Sequence, residues 1–446
     1  MLFQTMHKMK ISSYSSPLSY IDNEFSHLGI SKNSVFPPYA HEIKLDESRG
    51  RGVEYGQNQS PSVMIRFAST DCRRETGNIK WDLQGPLPFG IADMDIESPP
   101  CVVDALQARL NHHFYGYAFM TDELRAAITA YLIKKHGVTN AAPEWLHELP
   151  GCVPAFTLVT RTVCPEPQHE VMVCFPSYPP MLHCHEDARC SLLSVPFTYT
   201  GERWEFDWEA MEAAVNPNTK LFLLCNPHNP LGRVWSREEM ERVADFCERH
   251  DLILCSDEIH CDLVLDEDKQ HVCALTLPER LQQRTVMLSA PSKTFNIAGI
   301  CFTYMAVPNA ELRAAIRKTQ GHSLPTLNVF AYAASLAAYT EGWEWHEQLL
   351  RTLRANRQLV VDYISRELPM LRTLHQEATY LAWIDCSALG VESPHTFFRE
   401  NAGVYLDNGA NFGDPQCVRL NFATSPEMLR TGLDAMRDAV KKHLAI

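Results

Sequence analysis

The chain has 446 residues, 45% of them hydrophobic and 21% charged, with a formal net charge of −14. That is ordinary globular composition at a length suited to two domains, or to one large domain with a smaller companion. The acidic balance argues against a nucleic-acid backbone as the main partner, and no apolar run approaches the ~20 residues a membrane helix needs.

Residues 1–63 are rich in Ser, Tyr, Asn and Pro and hold no sustained helical or strand period. Apolar residues so dispersed do not offset the entropy of ordering. This stretch reads as a disordered extension or a start-site artefact, with a regulatory arm as the alternative. Lys8 and Lys10 have no apolar run behind them, which argues against a secretory signal. The glycine string at 50–56 lacks a preceding strand, so it is not a dinucleotide motif. The functional region is expected to begin near Met64.

Beyond Met64 strands alternate with helices. Thr121 is placed to cap a helix, Asp122 and Glu123 favour its positive end, and Gly137 offers a stop. Leu124, Ile128, Tyr131 and Leu132 fall at helical spacing. Short apolar runs at 170–175, 220–225 and 252–257 read as buried parallel strands. Between the last two, Ser236 and Glu239 form a capping box ahead of Met240, Val243 and Phe246 on one face. Strand, helix, strand is a βαβ unit, and its repetition predicts a parallel sheet. A further strand is expected at 285–290. A long helix follows at 343–364, with Leu349, Leu353, Val360 and Ile364 on one side. After it come shorter strand-like pieces at 379–385 and 417–423. The expected fold is α/β: a large, mostly parallel-sheet domain over 113–345 and a smaller α+β domain from 64–112 and 346–446. The 15 Cys are scattered, several within strand-like runs. They read as reduced thiols filling the core of a cytoplasmic protein.

In an open parallel sheet, functional groups gather at the carboxyl ends of the strands. Asn229 lies in the turn after one strand, Asp257 at the tip of the next, and Lys293 just past the third. Each alone is ordinary: a turn residue, a helix cap or ion-pair partner, a solvated charge. Together they suit one chemistry. A lysine amine can hold pyridoxal phosphate as a Schiff base. A carboxylate keeps the pyridine nitrogen protonated, and an amide donor steadies the ring oxygen.

The fragments KWDL (80–83), IADMD (91–95), YGY (115–117), PGCVPA (150–155), NPHNPLG (226–232), SDEIH (256–260), APSKTFNIAG (290–299), ATYLAWID (378–385) and VRLNFA (418–423) carry a resemblance. From about Met64 to Ile446 the chain resembles fold-type I pyridoxal-phosphate enzymes, and among them the MalY/PatB type of cystathionine β-lyase, or C–S lyase. The resemblance implies that Lys293 bonds the cofactor, Asp257 pairs with its ring nitrogen and Asn229 faces its ring oxygen. It places Tyr178 on the ring, and Gly151, Cys152, Val153 and Ser292 around the phosphate. Tyr117 would reach the phosphate of a neighbouring subunit, which implies a homodimer. Arg419 would grip the substrate α-carboxylate. The implied reaction is α,β-elimination of cystathionine or a related cysteine S-conjugate to a thiol, pyruvate and ammonia. An aminotransferase of the same fold shares these residues and stands as the alternative; a pyridoxal-phosphate-containing regulatory protein is the second.

Ala290, His260 and Cys301 stand where many transaminases of this fold carry Ser, Tyr and Arg. These departures favour the lyase type and put His260 beside the cofactor. No metal is expected. HCHEDARC (183–190) mixes ligand residues, but on a helix His183 and His185 point to different faces. The ligand types in 257–262 are assigned to the cofactor.

Overall fold

The computed structural model describes residues 64–445; the readings made for residues 1–63, the glycine string at 50–56 among them, lie outside it. The strands of the large sheet are β1 (Leu146–Leu149), β2 (Glu170–Phe175), β3 (Ser191–Tyr199), β4 (Trp204–Phe206), β5 (Thr219–Cys225), β6 (Ile253–Asp257), β7 (Thr285–Ser289) and β8 (Thr303–Ala306). Their spatial order is β1-β8-β7-β6-β5-β2-β3-β4. The pairs β3–β2, β2–β5, β5–β6 and β6–β7 are parallel. The outer pairs β7–β8, β8–β1 and β3–β4 are antiparallel. Every residue of β7 is buried, as a strand covered on both faces requires. The expected α/β fold is therefore present.

The helices form where local chemistry dictates. Helix α1 spans Pro100–Asn111. In α2 (Asp122–His136) the Thr121 hydroxyl accepts from Leu124 N, and Gly137 stops the helix at φ +72°. Helix α3 is Cys152–Val163 and α4 is Pro179–Ala188. Both halves of the expected capping box are made at the start of α5 (Arg237–Arg249). The right-hand member of the βαβ unit is then β6, carried back beside β5.

Helices α6 (Val329–Glu341) and α7 (Trp343–Glu367) lead to a four-stranded antiparallel sheet and to α8 (Pro426–Leu444). That sheet has the order β9-β10-β12-β11, with β9 Arg372–Thr373, β10 Leu381–Asp385, β11 Asp407–Asn408 and β12 Cys417–Asn421. Strand β10 begins two residues later than the expected 379, because Thr379 adopts φ +71° and breaks the pleat. Phe89, Met94 and Ile96 from the N-terminal stretch share one buried core with Leu353, Leu381 and Val418. The segment before α1 thus packs with the C-terminal elements. All 15 cysteines are described and none is in a disulfide. Among the described residues, no helix is long and apolar enough to cross a membrane.

Candidate active site

Three strand ends are aligned. Asp257, at the tip of β6, pairs in register with Cys225 of β5 and with Leu288 of β7. Asn229 follows Cys225 in a turn where its own N–H approaches the Cys225 Sγ at 3.4 Å. Lys293 follows β7 in a turn closed by Phe295 N bonding to Pro291 O. The parallel sheet therefore delivers the three residues to one edge.

Asp257 is buried and accepts from Ile259 N at 3.2 Å. Burial pushes its carboxyl up to about 7. Lys293 Nζ donates to Ala92 O at 2.7 Å. Burial lowers its pKa, while Asp93 opposes that shift and Arg419 adds to it.

Arg419 lies on β12, opposite Asp407 of β11. Its Nη1 donates to Asn229 Oδ1 at 2.9 Å and its Nη2 to Gly90 O at 3.2 Å, and Nη2 also pairs with the Asp407 carboxylate. The guanidinium sits over the Phe412 ring at 4.7 Å. Its Nε is buried without a hydrogen-bond partner. The Asn229 amide is thereby turned, oxygen toward Arg419 and nitrogen away from it.

Tyr178 precedes α4 and packs against the core at the sheet edge. Burial raises its hydroxyl pKa, and the charges of Arg419 and Asp257 both act on it. His260, 3% exposed, lies 6.3 Å from the Tyr380 ring, and its Nδ1 has no partner. Burial, then Lys293 and Arg419, hold its imidazole down to about 3, so it is neutral. Gly151 adopts φ +123°, a conformation that favours glycine. It opens α3, whose Cys152 and Val153 N–H groups precede the first intrahelical donor, Ala155 N. The Cys152 thiol lies 3.4 Å from Thr303 Oγ1 and also touches Asp257. Ser292, buried, stands beside Lys293 in the same turn.

The sequence fragments prove to be partners of one another. The strip 91–96 is their common target. Lys80 Nζ bonds to Asp95 Oδ2 at 2.8 Å and to Asp93 O at 2.9 Å, and Trp81 Nε1 donates to Asp95 Oδ1 at 2.8 Å. Asn296 donates to Met94 O and Ile96 O and accepts from Met94 N. Asn421 donates to Ile91 O and Asp93 O. Tyr380 donates to Ala92 O at 3.0 Å, the carbonyl Lys293 also uses. These side chains hold the strip against the end of the sheet.

Tyr117 is the one expected site residue that this chain does not bring to the strand ends: it is fully exposed. Sequence reasoning missed Ala92, Tyr380 and Asp407. Ala92 acts through its carbonyl, which no residue type betrays. Tyr380 lay within a quoted fragment without an assigned role. Asp407 precedes Asn408 and Gly409 in what reads as an ordinary turn. The helix reading of 183–190 agrees with α4, where His183 pairs with Glu186 and His185 with Leu182 O.

A model of class I and II aminotransferases matches residues 85–436. Cystathionine β-lyase PatB of Bacillus subtilis is 32% identical over 389 residues, covering 84% of this chain and 100% of that protein. The crystal structure of OvoB superposes with a TM-score of 0.80 at 37% identity, covering 82% of this chain and 97% of that one. Cystalysin of Treponema denticola, whose structure contains pyridoxal 5'-phosphate, gives a TM-score of 0.81 at 27% identity over 84% of this chain and 99% of that one.

Proposed function

The chain belongs to the class I and II aminotransferase family, and on that footing we propose that it is a pyridoxal-phosphate-dependent carbon–sulfur lyase. The reaction is α,β-elimination of L-cystathionine or a related cysteine S-conjugate: the thioether and one water give a thiol, pyruvate and ammonium. The observation that carries this reading is the meeting of Lys293, Asp257, Asn229 and Arg419 at one sheet edge in a chain 32% identical to a cystathionine β-lyase.

The cofactor is pyridoxal 5'-phosphate, and the residues present fit it. Asp257 is a buried carboxylate raised to about 7; a cationic ring nitrogen supplies the partner it lacks. The open N–H groups of Cys152 and Val153, with Gly151 and the Ser292 hydroxyl, suit a phosphate at a helix N-terminus. His260 Nδ1 and Arg419 Nε are buried without hydrogen-bond partners, which fits a pocket built for a polar ligand.

When bound, the cofactor supplies an electron-withdrawing ring beside the substrate α-carbon. Lys293 would hold the cofactor, and its free amine would serve as the base at the substrate α-carbon. Its lowered pKa favours the neutral amine that this role needs. Asp257 would keep the ring nitrogen protonated. Asn229 has its oxygen taken by Arg419, which leaves its Nδ2 as the donor that would meet the ring oxygen. Tyr178 would stack on the ring, and His260, a neutral imidazole, would serve beside it as donor or acceptor. Arg419 grips the α-carboxylate, for which a guanidinium fixes both charge and orientation. The substrate must share that guanidinium with Asp407 or displace it. Ala290, His260 and Cys301, in place of transaminase Ser, Tyr and Arg, support elimination over transamination.

The working unit is a homodimer in which Tyr117 reaches the partner's cofactor phosphate. The exposed ring of Tyr117 and its neighbours Phe114 and Phe119, 73% and 76% exposed, support such a covered face. The small domain comprises 64–112 and 346–446 around the large domain 113–345. Fifteen unpaired thiols support a cytoplasmic location, and the charge of −14 supports a small-molecule partner rather than nucleic acid.

The test is to give purified holoenzyme cystathionine without any keto acid. Equimolar pyruvate and homocysteine are expected; turnover that depends strictly on an added keto acid would assign the chain to the aminotransferases.

A further inference from the structure

A second set of donor atoms lies outside the strand-end site, and the elimination chemistry does not use it. His136 closes α2, while Cys261 and Asp262 follow the β6 tip. A His136 nitrogen, the Cys261 sulfur and an Asp262 carboxylate oxygen all lie within 4.8 Å of one another. His136 Nε2 and Asp262 Oδ1 face each other at 3.9 Å, beyond hydrogen-bond reach. Both side chains are under 5% exposed; His136 Nε2 has no hydrogen-bond partner, and Asp262 Oδ1 has only the Lys135 ammonium, an ion pair at 3.1 Å.

The rest of the cluster is arranged to leave these atoms facing inward. Tyr131 donates to Asp262 Oδ2 at 2.8 Å and Thr294 to the same oxygen at 3.2 Å. The carboxylate is thus fixed with Oδ1 toward His136. The Tyr131 hydroxyl also lies 3.3 Å from Cys261 Sγ. Such supporting bonds are what orient ligands around a metal. In the neighbouring set Glu258, His271 and Cys273, by contrast, both carboxylate oxygens are taken: His271 Nε2 and Glu258 Oε2 bond at 2.6 Å, and Glu258 Oε1 accepts from Ser256 Oγ and Ala274 N, leaving only His271 Nδ1 without a partner.

We propose that His136, Cys261 and Asp262 form a zinc(II) site, with water as the fourth ligand. One sulfur, one imidazole nitrogen and one carboxylate oxygen suit zinc rather than magnesium or calcium. Tetrahedral bonds of about 2.0–2.3 Å put ligand atoms about 3.4–3.8 Å apart, and His136 Nε2 and Asp262 Oδ1 already stand at 3.9 Å. Coordination expels the Cys261 thiol proton to water. The Lys135 ammonium, now 3.1 Å from Asp262 Oδ1, must swing away; its side chain is 37% exposed and also touches a cleft of ≈ 580 Å³. His136 lines that same cleft, which gives the metal and the water a way in. His136 stands far from 261–262 in sequence, so no local string could announce the set.

The experiment uses holoenzyme stripped with a chelator, equilibrated with zinc chloride, dialysed and assayed for metal by mass spectrometry. One zinc per chain is expected, held at least about tenfold more weakly in Cys261→Ser and in His136→Ala. Cobalt(II) loaded into the unaltered holoenzyme keeps the test independent of variant folding. It should give tetrahedral ligand-field bands in the red, where the cofactor does not absorb, together with a thiolate charge-transfer band. Zinc below a tenth per chain, uptake indifferent to both substitutions, or an octahedral cobalt spectrum without thiolate would overturn the proposal.

Discussion

Arg419 Nη1 donates to Asn229 Oδ1 at 2.9 Å, so the guanidinium that the proposed function assigns to the substrate carboxylate also fixes the Asn229 amide with its oxygen toward Arg419. The two functions are coupled through a single planar group. Arg419→Lys keeps a positive charge but not the fork that serves Asn229, Gly90 and Asp407 together. The expected loss is about 2–4 kcal/mol in transition-state binding. Steady-state kinetics should therefore show kcat/KM falling by roughly a hundredfold, with KM raised. An unchanged KM would remove Arg419 from the carboxylate site.

Asp257 separates activity from stability. Its folded pKa of about 7 exceeds the unfolded value, so its favourable contribution is complete below pH 3.8 and is lost as pH rises through 7. At pH 8 the apoprotein carries a buried, uncompensated carboxylate. Asp257→Asn should then stabilise the apoprotein by about 1–3 kcal/mol at that pH, while the holoenzyme loses roughly a hundredfold or more in kcat. Urea denaturation of apoprotein beside a pyruvate assay checks both; a variant less stable than the parent at pH 8 would contradict the burial argument.

His228 gives the opposite slope. Burial, and then Arg233, hold it down to about 3, and its Nδ1 has no partner. A depressed folded pKa contributes stability that is present above pH 6.5 and lost as pH falls toward 3. By pH 5 the loss is about 2 kcal/mol. His228→Gln should flatten the fall in unfolding free energy between pH 6.5 and 5, measured by chemical denaturation. A slope identical to the parent's would show that this imidazole titrates normally.

Much of this architecture was legible in the residues themselves. Thr121, Ser236 and Gly137 marked helix ends because capping is local chemistry, and the buried strands showed as apolar runs. Asn229, Asp257 and Lys293 were legible as a set because parallel strands bring their ends together. What stayed hidden depended on distant chain segments. Nothing near Asp407 indicated that it would pair with Arg419, and the Ala92 carbonyl became a partner of Lys293 only once the strip at 91–96 had folded against the sheet. His136 met Asp262 in the same way, across a fold that no periodicity describes.

The capping box tests the fold away from the chemistry. Ser236 Oγ accepts from Glu239 N at 3.1 Å, and Glu239 Oε2 accepts from Ser236 N at 2.8 Å. Ser236→Ala should cost about 1 kcal/mol of stability with kcat and KM unchanged. A loss of activity without a loss of stability would mean that α5 serves the site in a way its position does not indicate.

The central claim is a covalent one, that Lys293 is the residue bonded to pyridoxal phosphate. Borohydride reduction of the holoenzyme followed by peptide mapping tests it most directly. The pyridoxyl mass should appear on the peptide bearing Lys293 and vanish in Lys293→Ala, whose elimination activity should fall by at least about a thousandfold. A label on any other lysine, or a protein that takes up no cofactor at all, would contradict the account.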